Sequence, residues 1–361
     1  MQGRHQGWRQ AARGGDEVAR RPALRHRAAV LVSSRKTHVP SHDERRAGQA
    51  LRTDLMALRH LLTIVGPTGI GKTSVGVSVA SRIGGEIISA DSRQIYRGMD
   101  VGTAKPTPEE REAAAHHLVD IVDPWETYDA VRFASDAEDV AWKLLASGVE
   151  PIVVGGTGFY IRSLFEGLFE GPGRNEEVRD RLEERLASEG SSALHEELRR
   201  IDPGAAGRLH PNDGARVVRA LEVYISTGET LSSWQTRRPR KPAFAPRYFG
   251  LTMPRDQLYA RIEQRVDRMI EEGLLDEIRE LLRSGRLSAE MPGATAVGYR
   301  ELLPVAAGGT SDLEAAVELV KRNTRRYAKR QMTWFSSVPD VTWIDLAETG
   351  PDEAAARIAD G

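Results

Sequence analysis

The stretch Gly66-Pro67-Thr68-Gly69-Ile70-Gly71-Lys72-Thr73 limits the possible folds of this chain more than any other. Leu61, Leu62, Thr63, Ile64 and Val65 precede it as an apolar run of strand length, and residues 74–80 follow with a helical pattern. A strand, a glycine-rich turn and a helix N-terminus, closed by Lys and Thr, form a phosphate cradle. Spaced glycines let the backbone bend until its N–H groups converge on anionic oxygens. The helix N-terminus adds unpaired donors and a partial positive charge. Lys72 contributes a full charge, and the Thr73 hydroxyl can sit on Mg²⁺ if a metal accompanies the phosphates. Such a turn implies a phosphorylated ligand.

The 361 residues leave room for one large or two modest domains. No apolar run approaches the roughly 18 residues of a membrane span, so none is expected. The absence of cysteine excludes disulfides, thiolate zinc sites and thiol catalysis, and fits a cytoplasmic location. Residues 1–55 are Arg-rich without a sustained apolar period. They read as a disordered extension, with a basic nucleic-acid-binding arm as the alternative and Met56 as a natural start.

After the cradle helix, residues 86–91 form a strand ending in Asp91, followed by a loop rich in hydrogen-bonding groups up to Pro106. Ligands of open parallel sheets collect at the carboxyl ends of strands, which puts Asp91 in the same crevice as the cradle. Residues 118–122 read as a third strand, 133–145 as a helix, and 151–154 as a fourth strand running into Gly155-Gly156-Thr157. A further strand at 248–252 rejoins the sheet, giving a doubly wound α/β core. Between them, 176–189, 192–200 and 214–226 read as helices of an inserted subdomain that closes on the basic loop 237–241. The C-terminal third reads as helices at 256–272, 274–284 and 312–336. The last of these crowds Lys321, Arg322, Arg325, Arg326, Lys329 and Arg330 without acidic partners in the same turns, which leaves a solvated charged face and contact with an anionic polymer both open. The final residues carry no pattern.

Three enzyme classes share such a cradle. A hydrolytic motor or GTPase needs an apolar strand ending in Asp, whereas 152–154 ends in Gly-Gly-Thr. A small-molecule kinase and a transferase with a diphosphate leaving group both remain open, since Asp91 suits either as a base.

Successive blocks then carry a resemblance. They are Gly66 to Thr73, Asp91-Ser92-Arg93-Gln94-Ile95-Tyr96, Gly102-Thr103-Ala104-Lys105-Pro106, Gly155-Gly156-Thr157 and His210-Pro211-Asn212-Asp213. Arg219-Ala220-Leu221-Glu222, Val297-Gly298-Tyr299-Arg300 and Ala328-Lys329-Arg330-Gln331-Met332-Thr333-Trp334 complete the series. In this order, over 56–343, the chain resembles the bacterial tRNA dimethylallyltransferase family. The resemblance implies an α/β fold with a P-loop kinase-like core, a parallel sheet flanked by helices, and a helical insertion. On that reading 56–171 and 247–345 form the core, 172–246 the insertion and 346–361 a tail.

The implied activity is transfer of a dimethylallyl group from dimethylallyl diphosphate to the exocyclic amine of the adenine 3′ of the tRNA anticodon, with Mg²⁺, by a cytoplasmic monomer. Gly66, Pro67, Thr68, Gly69, Ile70, Gly71, Lys72 and Thr73 would hold the diphosphate, with Thr73 on the metal. Asp91 would take a proton or hydrogen bond from the amine, Thr157 would hold the flipped nucleotide, and Arg265 would brace the leaving group. Asp91, Ser92, Arg93, Gln94, Thr157, Arg179, Ala215, Arg216, Val217, Val218, Arg219, Thr295, Ala296, Val297, Gly298, Tyr299 and Arg300 fall where family members touch tRNA. Ala215 stands where Gln is common, and Thr295 where Arg is common in some members. Single-stranded RNA is often read by stacking, for which Tyr96, Phe159 and Tyr160 are candidates, with core packing as the more ordinary role of each.

Overall fold

The computed structural model describes residues 58–167, 171–237, 241–310 and 312–361. The readings made for residues 1–55, for Met56, and for Arg238, Pro239 and Arg240 lie outside them.

Strand β1 (Arg59–Val65) runs through the cradle into helix α1 (Lys72–Ile83). Next come β2 (Gly85–Ala90), α2 (Pro108–Ala113), β3 (His116–His117), α3 (Ala130–Ala146), β4 (Glu150–Gly155) and α4 (Gly158–Glu166). Helices α5 (Glu176–Glu189), α6 (Ser191–Ile201), α7 (Pro203–Arg208), α8 (Gly214–Thr227) and α9 (Leu231–Thr236) follow without a strand. The chain returns through β5 (Phe244–Thr252), α10 (Arg255–Glu271), α11 (Leu274–Arg283), a 3₁₀ turn at Pro292–Thr295, α12 (Tyr299–Ala306) and α13 (Leu313–Phe335). It ends in β6 (Thr342–Asp345) and α14 (Leu346–Asp360), the latter broken at Gly350.

The six strands form one parallel sheet in the order β3-β2-β4-β1-β5-β6. Both faces are covered, which is why the central strands are apolar almost throughout. Successive residues point to opposite faces. Leu61, Val65, Ile88 and Val153 therefore pack with Phe133 of α3, while Leu62, Ile64, Ile87 and Ile152 pack with Val75 and Val79 of α1. Register then positions the site. Gly155 pairs with Val65 on one side and Ala90 on the other, so Gly66, Asp91 and Gly156 emerge side by side beyond three adjacent strand ends.

Several expectations need correction. The strand expected at 118–122 is reduced to His116–His117 plus a single bridge between Tyr96 and Val122. Leu118 and Asp120 take positive φ angles of 62° and 58°, which breaks the extended path. The patternless tail is a helix that buries Leu346, Ala354, Ala355 and Ile358 against the α1 side of the sheet. Helices α2, α4, α7, α9 and α12 and strand β6 are short, and their periodicity is too brief to read. Helices α5–α9 enclose an apolar cluster of their own, including Leu182, Leu194, Leu198, Val217, Val218 and Leu221.

Candidate active site

The cradle closes around backbone that only glycine adopts easily. Gly69 and Gly71 have φ of 85° and 103°, and a Cβ on Gly69 would also stand 2.8 Å from Ile262 Cγ1. Gly71 caps α1 without a side-chain hydrogen bond, so the first-turn N–H groups keep their donors for a ligand. Lys72 Nζ donates to the Pro67 carbonyl at 3.0 Å. Desolvation pulls its pKa down to about 8, with Asp91 raising it and Arg265 lowering it.

Asp91, one residue past β2, accepts the N–H groups of Arg93 at 2.8 Å and Gln94 at 3.4 Å on Oδ1. Among the described residues its other oxygen has no hydrogen bond. Thr157, one residue past Gly156, accepts the Ser92 N–H at 3.0 Å and donates to Ser92 Oγ at 3.4 Å. It therefore ties the segments that follow β2 and β4 to each other. Arg265 on α10 donates to Thr68 Oγ1 at 2.8 Å, while its buried Nε has no partner. Burial lowers its pKa, Asp91 raises it, and Arg261 lowers it.

Two chambers meet here. One, of about 1150 Å³, is lined by Gly69, Gly71, Lys72 and Thr73 and carries Arg261 and Arg268. The other, of about 590 Å³, is lined by Ser92, Arg93, Thr157, Phe159 and Trp334. Thr68, Asp91, Thr103, Arg265 and Met269 line both. A ligand spanning the junction puts an anionic end on the cradle and a planar group beside Thr157, with a free carboxylate oxygen between them.

Not every expected residue faces this space. Thr295, Ala296, Val297, Gly298 and Arg300 line the smaller chamber, and Arg93 donates to Thr295 Oγ1 at 2.9 Å. Tyr299 is fully buried, with its hydroxyl on Glu277, so its side chain offers no RNA surface. Val217 and Val218 are likewise fully buried in the α5–α9 cluster, a correction imposed by packing. Ala215, Arg216, Arg219 and Arg179 lie on that helical segment and line neither chamber. Gln94 lines only the larger one, its amide engaged with Ser89 and Ala104. Of the stacking candidates, Tyr96 and Tyr160 are buried, whereas Phe159 is 51% exposed at the smaller chamber.

The basic helix α13 also departs from expectation. Lys321 and Arg325 find carboxylates on α10, Asp267 and Glu263. Arg326 and Arg330 line the smaller chamber and have no ion pair among the described residues. Sequence reasoning missed Gln331, Tyr327 and Glu277. Glu277 accepts the N–H groups of Asp100 and Val101 at 2.8 Å each, clamping the loop that carries Thr103. For Gln331 a signal existed, as an amide inside an otherwise basic helix at the spacing of its buried face.

The chain is similar to known proteins over most of its length. A family model described as IPP transferase matches residues 94–338, and one described as isopentenyl transferase matches 59–120. The chain is 47% identical to a tRNA dimethylallyltransferase of Pelotomaculum thermopropionicum over 298 residues, 82% of this chain and 94% of that protein. It is 47% identical to the one from Geobacter metallireducens over 286 residues, 79% of this chain and 92% of that protein. The tRNA isopentenylpyrophosphate transferase of Bacillus halodurans superposes with a TM-score of 0.61 at 41% identity, covering 84% of this chain and 96% of that one. A eukaryotic dimethylallyltransferase solved acting on tRNA gives 0.68 at 30% identity, covering 83% of this chain and 78% of that one. The chain therefore belongs to the tRNA dimethylallyltransferase family.

Proposed function

We propose that the chain transfers a dimethylallyl group from dimethylallyl diphosphate to the exocyclic N6 amine of the adenine 3′ of the anticodon in tRNA, releasing diphosphate. The observation that carries this reading is the junction, where Asp91, Thr68 and Arg265 face both chambers. The diphosphate lies on the cradle, with Lys72, Arg265 and the free N–H groups of α1 taking its charge. An allylic diphosphate ionises toward a delocalised cation, so holding the leaving group strongly lowers the barrier. The adenine reaches the smaller chamber only by leaving its stack, and Thr157 with Ser92 and Arg93 receives it there. The amine nitrogen bonds C1 as the C1–O bond to diphosphate breaks, and one amine proton passes to Asp91. Such base assistance contributes about 10²–10⁴-fold.

Mg²⁺ fits the cradle, since the Thr73 hydroxyl lines it without a hydrogen bond among the described residues. Those residues hold no cluster of three acidic or His ligands. Thr73 would be this chain's ligand, and a metal bound there would supply positive charge against the leaving diphosphate. No described helix is long and apolar enough to cross a membrane. The protein acts as a cytoplasmic monomer on this reading, and Arg179, Ala215, Arg216 and Arg219 approach the tRNA from the helical segment.

The test is mass analysis of tRNA nucleosides after incubation with Mg²⁺ and dimethylallyl diphosphate, with AMP as a parallel acceptor and ATP as a parallel donor. A dimethylallylated adenosine in tRNA supports the reading. Prenylation of AMP alone, or phosphoryl transfer without prenylation, overturns it.

A further inference from the structure

We infer that Met269 sets the length of the allylic chain the site accepts. The inference rests on the function proposed above and concerns the one part of the donor that neither the cradle nor Asp91 can recognise. With the diphosphate on Lys72 and the acceptor amine at Asp91, the hydrocarbon tail must lie where the chambers meet. The residues common to both are Thr68, Asp91, Thr103, Arg265 and Met269. Two are charged and two carry hydroxyls. Laying a hydrocarbon against the charged pair would strip their water without supplying a partner. Met269 is the apolar surface left.

Its setting fits that role. Met269 sits on α10 one turn beyond Arg265, so the residue that braces the leaving group and the residue under the tail share one helix face. It is 7% exposed and belongs to the large apolar cluster. Val266 and Val320 line the smaller chamber beside it, at 1% and 2% exposure. A chain reaching past Met269 therefore meets packed core, which gives way only at a cost. An unbranched thioether also adapts to a branched five-carbon group and is polarisable, which suits contact with developing allylic charge. Replacing it by Ala removes three heavy atoms and leaves an apolar recess that stays dry.

The experiment compares dimethylallyl with geranyl diphosphate as donors to the tRNA anticodon stem-loop, read by nucleoside mass analysis. Wild type, Met269→Ala, Met269→Leu and Met269→Phe are assayed alongside, with inhibition by inorganic diphosphate as the control on the cradle. One methylene in an apolar pocket is worth about 10–200-fold in discrimination. Met269→Ala is thus expected to raise the geranyl-to-dimethylallyl ratio of kcat/KM by at least about tenfold. Met269→Leu should keep the wild-type ratio, and diphosphate inhibition should be unchanged in both. If Met269→Ala does not fold, Met269→Phe decides: dimethylallyl turnover should fall while diphosphate inhibition persists. An unchanged donor ratio in folded Met269→Ala, or undiminished turnover in Met269→Phe, overturns the inference. A wild type that prenylates no tRNA overturns the functional reading instead.

Discussion

Gln331 and Thr68, 263 residues apart in the chain, are joined by a hydrogen bond in which the Gln331 Oε1 accepts the Thr68 N–H at 2.8 Å. The other end of the same amide donates to the Gly156 carbonyl, also at 2.8 Å. A Cβ on Gly156 would stand 2.3 Å from that amide nitrogen and 3.3 Å from Lys72 Nζ, so glycine is what permits the approach. One buried side chain from α13 thus fixes the cradle relative to the loop bearing Thr157. Gln331→Glu keeps the acceptor and loses the donor, setting a carboxylate oxygen against the Gly156 carbonyl. A misplacement of about 1 Å costs about 10²-fold. The expected result is a fall in kcat of that order, with tRNA affinity retained, measured by single-turnover kinetics beside a tRNA binding isotherm.

Asp91 carries the second prediction. Two backbone N–H groups hold its Oδ1, so Asp91→Asn changes the charge while keeping the shape. The transfer rate should fall by at least about 10²-fold while tRNA still binds. A near-normal rate in single-turnover assays removes Asp91 from proton transfer.

How much of this was legible in the sequence follows from locality. The cradle, Asp91 and Gly155-Gly156-Thr157 stand at strand ends, and the order of strands and helices already places strand ends in one crevice. Arg265 and the segment 295–300, expected to touch tRNA, came from family resemblance, and Tyr299 shows the limit of that route. A matched motif names a segment, but burial decides which of its side chains reaches out. Val217 and Val218 fail for the same reason, since their helix turns them into the α5–α9 cluster. Gln331 and Glu277 act on backbone groups far away in sequence, and nothing local encodes such a partner. The apparently unpaired charge of α13 misled because Asp267 and Glu263 lie on a different helix.

Lys72 gives a pH dependence with two opposite signs. Its pKa in the free protein is lowered from 10.5 to about 8, so its charge is lost as pH rises through 8. KM for the diphosphate donor should therefore climb above about pH 8 and be flat below it, a trend that Lys72→Met abolishes. Stability runs the other way. Between pH 8 and 10.5 the unfolded chain holds more protons than the folded one, so the ligand-free protein gains stability with rising pH from this group. Donor KM and the melting temperature of ligand-free protein, each followed from pH 7 to 10 in wild type and Lys72→Met, separate the two effects.

Glu222 is fully buried and satisfies three donors at once. Its Oε1 accepts from Asn175 N and Arg219 Nη1 at 2.9 Å each, and its Oε2 from Arg179 Nη1 at 3.3 Å. Arg179 thus tethers α5 to α8, and Arg219 joins α8 to the Pro172 and Gly173 carbonyls just before α5. Glu222→Ala takes the acceptor from the Asn175 N–H and a shared carboxylate from two guanidinium groups that keep Glu183 and the Pro172 and Gly173 carbonyls, and a donor left without its acceptor costs about 1–3 kcal/mol. The expected outcome is a large drop in denaturant midpoint, with kcat preserved in whatever fraction remains folded.

Arg326 and Arg330 supply the last contrast, because they share α13 with Lys321 and Arg325 yet differ in pairing. Lys321 is held by Asp267 and Glu318, and Arg325 by Glu263, so neither has charge to spare for an RNA phosphate. Arg326 and Arg330 are exposed, line the chamber assigned to the nucleoside, and lack ion pairs among the described residues. Neutralising a cation that contacts phosphate lowers the salt dependence of binding by about one unit of slope. Arg326→Ala and Arg330→Ala should each raise KM for tRNA and flatten the plot of log affinity against log salt, with donor KM unchanged. Lys321→Ala should leave that slope alone and lower thermal stability slightly, by the modest worth of ion pairs whose carboxylates are exposed. Equal slopes for all three variants would show that position on the helix, and not pairing, governs the RNA contact.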